Sequence, residues 1–433
     1  MKAYARDKEN ATHGKEPGHD VLPLMRTTGL GRGEVLPRLR AIAGAVRPEA
    51  PEALRHARAR RAALAAGLVA AIVALVAAVA LLVPRLLSDS PELQDRTSSN
   101  AATGGRATAA DGYCYFYDDA ASSIDRMRMD GSPAADAETV YAFDEGHVAH
   151  SLCVKGGVLY FVDQDIDAAT SGEGGSTLHA LDLDGGGDRI LYTALNAPDD
   201  MNNGATLTTA CVFDRTLYVV ESVPTGDYDF FCQLVTMGLD GSDQRVVCQL
   251  PTNTYASLVT RDAIYYVVDS SIYAVDPSTA QTRLVYQASC DYLGGPMGIS
   301  DGRLVFTETD YGSNADASYA DNVDRLVTVG VDGSDPTVLL TTEGIDSFNL
   351  VGTANGAVYL QDYEATESED DLTGWVDLTI TNWKLRSVPL DGGDATILLD
   401  GRTTQSAQLV DLGDGRVAVT DDDGVTTLSV DGS

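Results

Sequence analysis

Three aspartates at alternate positions are the residues of this chain whose spacing most resembles a metal site. Asp163, Asp165 and Asp167 open a glycine-rich segment. In calcium-binding loops, carboxylates at positions 1, 3 and 5 converge on the ion. Here position 6 is Ala168 and position 12 is Gly174, where such loops have glycine and a bidentate glutamate. The sequence therefore predicts no cofactor and leaves calcium at the three aspartates as the one metal alternative.

Residue sets for catalysis are scarce in the sequence. It contains no His-Glu-x-x-His, no Walker-type phosphate loop and no Cys-x-x-Cys. After residue 83 the only histidines are His147, His150 and His179. A strand would point His147 and His150 to opposite faces, because side chains alternate along it. The sequence thus predicts a protein that is not an enzyme. A calcium-dependent hydrolase or a lyase is the enzymatic alternative.

Carboxylates alternate with aromatic residues in four long segments between predicted strands. Carboxylates and aromatic rings together suit a sugar, or a cationic peptide held by charge and cation–π contact. The alternative is a set of acidic surface insertions without a ligand. The predicted ligand-binding residues are Asp227, Tyr228, Asp229, Tyr311, Tyr319, Tyr363 and Trp375.

The elements that position these loops follow from a repeat. A four-residue phrase recurs seven times: a hydrophobic residue, then Asp, then Gly or Pro, and then a small residue. Its copies lie at intervals of 36 to 59 residues. A period near 50 residues is typical of propeller blades. The aspartates of the seven copies are Asp130, Asp184, Asp240, Asp276, Asp332, Asp391 and Asp431.

Each repeat divides into four short β-branched or aromatic runs, separated by Asp-Gly and Asn-Gly turns that are typical of antiparallel hairpins. The sequence therefore predicts an all-β protein, a β-propeller of seven four-stranded blades, with six as the alternative. The last repeat ends before its fourth strand, so the blade either pairs with residues near 90–100 or stays open. We number the strands of a blade from the channel outward. The turns that join strands 1 and 2 and strands 3 and 4 are then tight and lie on the same face of the propeller. The long 2–3 loops lie on the opposite face.

The aromatic second strand and the Asp-Gly turn after the third strand resemble a bacterial family of unknown function. The matching segments are residues 112–118 with 129–132, residues 158–163 with 181–186, and residues 100–105. Repeats of that family resemble the YWTD propellers of low-density-lipoprotein-receptor-related proteins. The resemblance spans about residues 100–433 and implies a β-propeller, but no catalytic residues. The chain lacks the Tyr-Trp-Thr-Asp tetrad, so the ligand chemistry of those receptors does not transfer.

An uncharged apolar run divides the chain into regions of different character. Residues 62–83 are long enough to cross a bilayer, and arginines cluster before them. We therefore predict a largely flexible basic cytoplasmic tail (1–61), a transmembrane helix retained as a signal-anchor (62–83), a linker (84–101) and an extracellular propeller (102–433). The bilayer is the predicted partner of residues 62–83, and the cell membrane is the predicted location.

Charge and cysteine content are consistent with an extracellular domain. The formal net charge is −34, although residues 1–85 contain 14 Lys+Arg against 7 Asp+Glu. So acidic a domain repels nucleic acid, which is excluded as a partner. All six cysteines follow residue 83, and an even number outside the cell permits disulfides. Cys232 and Cys248 flank one predicted hairpin turn and form the disulfide candidate, with free buried thiols as the alternative.

These observations predict a cell-surface binding module whose long loops recognise an unknown extracellular protein, peptide or glycan. The alternatives are the enzyme described above and a ligand sensor coupled to the cytoplasmic tail.

Overall fold

The computed structural model describes the chain from residue 88 onward, with short gaps, and three residues before it. The described residues are 71–73, 88–129, 137–166, 175–194, 204–226, 229–295, 298–311, 322–343, 347–369, 376–402, 408–413, 415–421 and 424–429. Residues up to Leu86 form one compact unit and residues from Leu87 onward form another.

Seven antiparallel sheets make up the second unit, and each sheet is one blade. Blades 1 and 2 consist of β1 (Ala107–Ala110), β2 (Tyr113–Asp118), β3 (Ser123–Arg128), β4 (Glu138–Ala142), β5 (His147–Lys155), β6 (Val158–Asp165), β7 (Ser176–Asp182) and β8 (Arg189–Thr193). Blades 3 and 4 consist of β9 (Thr206–Phe213), β10 (Thr216–Pro224), β11 (Phe230–Gly238), β12 (Arg245–Gln249), β13 (Ala256–Val259), β14 (Ile264–Val268), β15 (Ser271–Val275) and β16 (Thr282–Gln287).

Blade 5 has its inner strand in two pieces that both pair with the second strand. Its strands are β17 (Tyr292–Leu293), β18 (Gly298–Ser300), β19 (Arg303–Asp310), β20 (Val323–Gly330) and β21 (Thr337–Glu343). Blades 6 and 7 consist of β22 (Ser347–Ala354), β23 (Ala357–Glu369), β24 (Val376–Pro389), β25 (Thr396–Arg402), β26 (Gln408–Gly413), β27 (Arg416–Asp421) and β28 (Gly424–Ser429). The prediction of a seven-bladed β-propeller is confirmed.

The hydrophobic core lies between blades rather than at one centre. Each of the seven buried clusters combines residues of two neighbouring sheets. Neighbouring blades cover the second strand of a blade on both faces, which is why the sequence of these strands is rich in aromatic and β-branched residues. Tyr115, Phe161 and Tyr359, for example, are buried. Ala107 of blade 1 and Val410 of blade 7 share the cluster that closes the ring.

In blades 2, 3 and 5 the repeated Asp-Gly phrase contacts the blade before it. Gly185, Gly241 and Gly333 have φ angles of 87°, 80° and 90°, which disfavour any other residue. A Cβ atom on Gly333 would lie 2.6 Å from the carbonyl oxygen of Val285 in the outer strand of the preceding blade. Gly185 approaches Val140 in the same way. The repeat therefore specifies both a tight turn and a contact between blades.

The aspartate of the phrase holds the turn by accepting hydrogen bonds from the serine two residues later. Oδ1 of Asp240 accepts from the backbone nitrogen and hydroxyl of Ser242, at 3.0 and 2.5 Å. These bonds hold the pKa of Asp240 below its usual value, and serines do the same for Asp276 and Asp332.

This arrangement predicts a loss of stability in acid. Because the folded-state pKa values are lowered, the three carboxylates stabilise the fold above about pH 4, and that contribution is lost as the pH falls through the folded-state values. We expect the triple variant Ser242→Ala, Ser278→Ala and Ser334→Ala to lose less unfolding free energy between neutral and acid pH than the parent chain. Urea unfolding at both pH values measures this. An unchanged acid loss would contradict it.

Every described outer strand carries a β-bulge. In blades 1 to 6 the pairing of the third and fourth strands shifts by one residue at the same place, for example between Leu178 and His179. Bulges bend and twist a strand. The outer edges of blades 1 to 6 are therefore poor templates for pairing with another sheet.

A helix, α1 (Pro91–Ala102), lies where the sequence analysis placed most of a linker and a candidate strand. It contacts the inner strands β5, β9, β13, β18, β22 and β26, so it lies in the mouth of the central channel. Ser90 caps its N-terminus and accepts a hydrogen bond from the Leu93 nitrogen at 3.2 Å. The last blade has three described strands, and residues 91–100 do not complete it.

The predicted transmembrane helix falls almost wholly outside the described residues. Of residues 62–83 only 71–73 are described, and these are helical. Among the described residues there is no helix with the length and apolar character that a bilayer crossing requires. The predicted tail (1–61) also lies outside the described part of the chain.

Candidate functional site

The two faces of the propeller differ in the length of their connections. Turns between first and second strands are short, such as Gly156–Gly157, and the turns between third and fourth strands share their face, here called the tight-turn face. Connections between second and third strands and between blades emerge on the other side, here called the long-loop face. Its loops reach ten residues between β6 and β7 and twelve between β19 and β20.

Helix α1 closes the channel on the tight-turn face. Asp89, just before the helix, forms an ion pair with Lys155 and accepts a hydrogen bond from the Asp214 nitrogen at 2.7 Å. Both residues lie at turns between first and second strands. Deeper in, the Ser99 hydroxyl accepts from the Ile299 nitrogen at 2.9 Å and bonds to the Thr353 hydroxyl at 2.7 Å.

The inner strand of blade 2 is adapted to the segment that follows α1. The nitrogens of Ser151 and Leu152 donate to the carbonyls of Gly104 and Gly105, at 3.0 and 2.6 Å. Ser151 has a φ of 58°, and the pairing of β5 with β6 is interrupted beside it. Because a positive φ at serine is costly, this strain persists only where surrounding contacts enforce it. The helix is therefore an integral part of the ring.

Beside α1, a cleft of about 250 Å³ opens between the helix and blades 5 to 7. Glu92, Asp95, Asp301 and Asp411 line it together with Arg96. Burial raises the pKa of Asp95, although hydrogen bonds from the backbone of the Asp301 turn oppose the rise. The cleft is small, and the helix contributes three of its charged lining residues.

Positive charge is distributed unequally between the faces. Between residues 156 and 324 every Lys+Arg residue lies in a turn of the tight-turn face or within two residues of one. These residues are Arg189, Arg215, Arg245, Arg261, Arg283 and Arg303. The long-loop face of blades 2, 3 and 4 consequently has no lysine or arginine. Carboxylates there produce a negative potential that attracts cations.

Exposed aromatic rings lie on this negative face. The Phe230 and Tyr255 rings pack with centroids 4.3 Å apart, and Tyr255 is 59% exposed. Asp229 accepts a hydrogen bond from the Asn253 amide at 2.8 Å, and the same asparagine accepts from the Phe230 nitrogen. The end of one long loop and the connection to the next blade thus form one aromatic and acidic patch.

A second patch of the same kind lies on blade 5. Tyr292 and Tyr311 are 54% and 48% exposed. The Tyr311 nitrogen donates to the Asp291 carboxylate at 2.8 Å, which ties the long loop to the connection before the blade. Asp310, adjacent to Tyr311, forms an ion pair with Arg325 at 2.7 Å.

The two patches are joined through the connections between blades. A Cβ atom on Gly295 would lie 2.1 Å from the Ser257 hydroxyl, so the segments after Tyr255 and after Tyr292 are in contact. We call the combined surface the aromatic strip. Its members are Asp229, Phe230, Asn253, Tyr255, Asp291, Tyr292, Asp310 and Tyr311.

The predicted binding residues are distributed unevenly with respect to this strip. Asp229 and Tyr311 belong to it, whereas Tyr363 is partly buried against the cluster between blades 6 and 7. The predictions Asp227, Tyr228, Tyr319 and Trp375 fall outside the described residues. Tyr255 and Tyr292 were not among the predicted residues, because they lie in connections between blades and not in 2–3 loops. Aromatic residues between an outer strand and the next blade would have been the signal.

The calcium alternative is not supported by the described aspartates. Asp163 and Asp165 lie on one face of β6, where His147 is close: its Nδ1 is 2.8 Å from Asp163 and its Nε2 is 3.7 Å from Asp165. Burial lowers the pKa of His147, but the Asp163 hydrogen bond and the charges of Asp163 and Asp165 outweigh it, so the pKa is raised. Asp167 lies outside the described residues, among which no three ligating groups converge for a metal ion.

The predicted disulfide is also not supported. All six cysteines are described and all are free, with Cys232 and Cys248 buried. In the pairing of β11 with β12, Cys248 lies opposite Leu234, two residues from Cys232. Diagonal neighbours of this kind are about 7–8 Å apart, beyond the usual disulfide separation. The interpretation as free buried thiols fits better.

Two buried glutamates accept hydrogen bonds across the interface between neighbouring blades. Glu221 is fully buried and accepts from the Tyr192 hydroxyl of the preceding blade at 2.9 Å. Glu308 accepts from the Tyr286 hydroxyl at 2.7 Å in the equivalent joint. Such carboxylates are held by neighbours rather than presented to a substrate.

One segment has the pattern of a catalytic serine. Residues 298–302 read Gly-Ile-Ser-Asp-Gly, which matches Gly-x-Ser-x-Gly. The structure makes this segment β18 and the antiparallel turn to β19. A nucleophile elbow requires a strand followed by a helix. Ser300 therefore lacks the setting that this motif needs.

Comparison with known proteins shows likeness of fold alone. No family model matches the chain, and no curated protein matches it. Similar solved structures include an oligogalacturonate lyase in complex with manganese (15% identity, 71% of this chain and 77% of that chain, TM-score 0.39). Others are the nidogen/laminin complex (15%, 55% and 78%, 0.33) and a putative TolB from Agrobacterium tumefaciens (13%, 68% and 92%, 0.35). Enzymes and non-enzymes are both among these neighbours.

Proposed function

We propose that this chain is a membrane-anchored cell-surface protein whose propeller binds a protein, peptide or glycan through its long-loop face. The aromatic strip is the observation that supports this most directly. Rings exposed by about half stand beside carboxylates on a face that has no lysine or arginine over blades 2 to 4. Loops on a rigid scaffold are the usual place for recognition.

The closed channel supports the choice of this face. Helix α1 fills the channel mouth on the tight-turn face through buried polar contacts of Ser99. A ligand approaching from that side meets the helix, whereas the long-loop face offers exposed side chains.

Membrane anchoring rests on the sequence of residues 62–83. Expression of the full chain and of a version lacking these residues, followed by membrane fractionation and protease treatment of intact cells, tests it. We expect only the full chain to fractionate with membranes, with its propeller cleaved from outside. Retention of both versions in the same fraction would contradict the anchor.

Ligand binding is expected to stabilise the propeller through the aromatic strip. A ligand at a hundredfold excess over Kd adds about 2.7 kcal/mol of unfolding free energy. The melting temperature of the full chain should therefore rise with one class among simple sugars, oligosaccharides and basic or neutral peptides. The variant Tyr255→Ala/Tyr292→Ala should lose the shift.

Tyr113→Ala is the matched control, because Tyr113 lies at a turn of the tight-turn face beneath Arg126 and Arg128. A shift that survives in the double variant, or that Tyr113→Ala removes, would place binding elsewhere. Turnover of an added sugar or peptide would point to the enzymatic alternative.

A further inference from the structure

We propose that the ligand of the aromatic strip is a peptide segment rich in arginine or lysine. This inference rests on the proposed function, because it names the partner of the same face. It depends on three properties of the strip: its charge, its exposed rings and the contact between its two patches.

Two of the three carboxylates of the strip, those of Asp229 and Asp291, accept hydrogen bonds from neutral donors, whereas Asp310 is paired with Arg325. The Asn253 amide holds Asp229, and the Tyr311 backbone nitrogen holds Asp291. Both donors are uncharged groups, so they orient the carboxylates without adding positive charge to the surface. The charge of Arg325 is taken up by its ion pair with Asp310 at 2.7 Å. A cationic side chain would supply the charge that this surface lacks.

The propeller already shows how its tyrosines hold arginine. On the tight-turn face the guanidinium groups of Arg126 and Arg128 lie 5.1 and 5.6 Å from the Tyr113 ring centroid. Such contacts attract the cation to the ring face, and more strongly when the cation loses water. On the long-loop face, Tyr255 and Tyr292 present comparable rings beside carboxylates, and the sequence between residues 284 and 302 and between residues 246 and 260 has no lysine or arginine.

The arrangement favours a peptide over a neutral sugar. Both ligands stack on tyrosine, but only a cation gains from two carboxylates that are held by neutral donors. The contact between Ser257 and Gly295 makes the two patches neighbours. One extended segment can therefore place one cationic side chain on each patch.

The test is a titration of the full chain with a blocked heptapeptide in which Arg alternates with Gly, followed by calorimetry. The comparison peptide has Gln in place of each Arg. We expect the Gln peptide to bind at least about tenfold more weakly, since it loses both charge and cation–π contact. Raising the salt concentration should lower the affinity of the Arg peptide and leave the affinity of the Gln peptide unchanged.

Single variants assign the binding to the strip. We expect the affinity for the Arg peptide to fall by about 2- to 30-fold in each of the variants Tyr255→Ala, Tyr292→Ala and Asp291→Asn. Tyr113→Ala should leave the affinity unchanged. Because Tyr255, Tyr292 and Asp291 are exposed, the melting temperatures of these three variants without peptide should match that of the parent chain, which separates lost binding from lost folding.

Equal affinities for the Arg and Gln peptides would overturn the inference, as would an Arg peptide whose binding none of the strip variants weakens. If oligosaccharides shift the melting temperature through the strip while the Arg peptide does not bind, the inference fails and the proposed function stands. If the strip variants retain the melting shift produced by every ligand class, the proposed function fails as well.

Discussion

Replacing Gly333 by alanine is expected to destabilise the propeller by about 2–4 kcal/mol. Two costs add at this position. A φ of 90° is unfavourable for alanine, and the new Cβ atom would lie 2.6 Å from the Val285 carbonyl oxygen. Since Val285 belongs to blade 4 and Gly333 to blade 5, relief requires the two blades to separate or the turn to deform. Urea unfolding at neutral pH measures the loss.

Gly392 provides the matched control for Gly333. It occupies the same place in the repeat of blade 6 and has a φ of 85°, but a Cβ atom there meets no atom within 4 Å. Gly392→Ala should therefore cost only the backbone term, about 1–2 kcal/mol. Equal losses for the two variants would show that the approach of neighbouring blades adds nothing and that the repeat is a turn signal alone.

Substituting Ser99 by leucine is expected to destabilise the second unit by about 3–5 kcal/mol. Ser99 is 2% exposed and its hydroxyl bonds to Ile299 and Thr353. Leucine would leave the Ile299 nitrogen without this acceptor and force a larger side chain between the helix and two inner strands. Thermal unfolding and hydrogen exchange of residues 91–102 would measure both effects.

Two further variants separate the causes at Ser99. Ser99→Ala removes the hydrogen bonds without overfilling the site and should cost about 1–3 kcal/mol. Glu92→Gln changes an exposed side chain of the same helix and should be close to neutral, within about 0.5 kcal/mol. If Ser99→Leu unfolds at the parent midpoint, α1 contributes nothing to the stability of the ring.

The strands and turns could be read from the sequence because their signals are local. The second strands are covered on both sides and are accordingly aromatic and β-branched, as in residues 158–162. The Asp-Gly phrase marks the third-to-fourth turn in blades 2, 3, 5 and 6, and Asp276-Pro277 marks it in blade 4. What the sequence did not show is that in blades 2, 3 and 5 a carbonyl group of the preceding blade leaves little room for a side chain on this glycine.

Helix α1 could not be predicted because it lacks the pattern that identifies helices. Its buried residues include Ser98 and Ser99, and no apolar stripe runs along it. The helix is held by hydrogen bonds to the ends of inner strands that are distant in sequence, such as Ile299. Polar contacts of this kind leave no periodic trace.

The candidate site was partly predictable. Composition pointed to the correct class of residue, acidic and aromatic, and to Asp229 and Tyr311. The contributions of Tyr255 and Tyr292 depend on how blades pack side by side, which brings Ser257 against Gly295. The disulfide prediction failed on a finer point, since proximity across a turn does not determine which residues face each other.

The position of Asp89 determines how the molecule would bear mechanical load. Asp89 is tied to Lys155 in blade 2 and to Asp214 in blade 3 before the helix begins. A pull on the preceding chain would therefore be shared first between two blades at their turns. The hydrogen bonds of Ser99 and those between the strands would bear force only after the contacts of Asp89 with Lys155 and Asp214 had broken. Because these two contacts of Asp89 would take up tension first, a pull on the preceding chain need not distort the long-loop face.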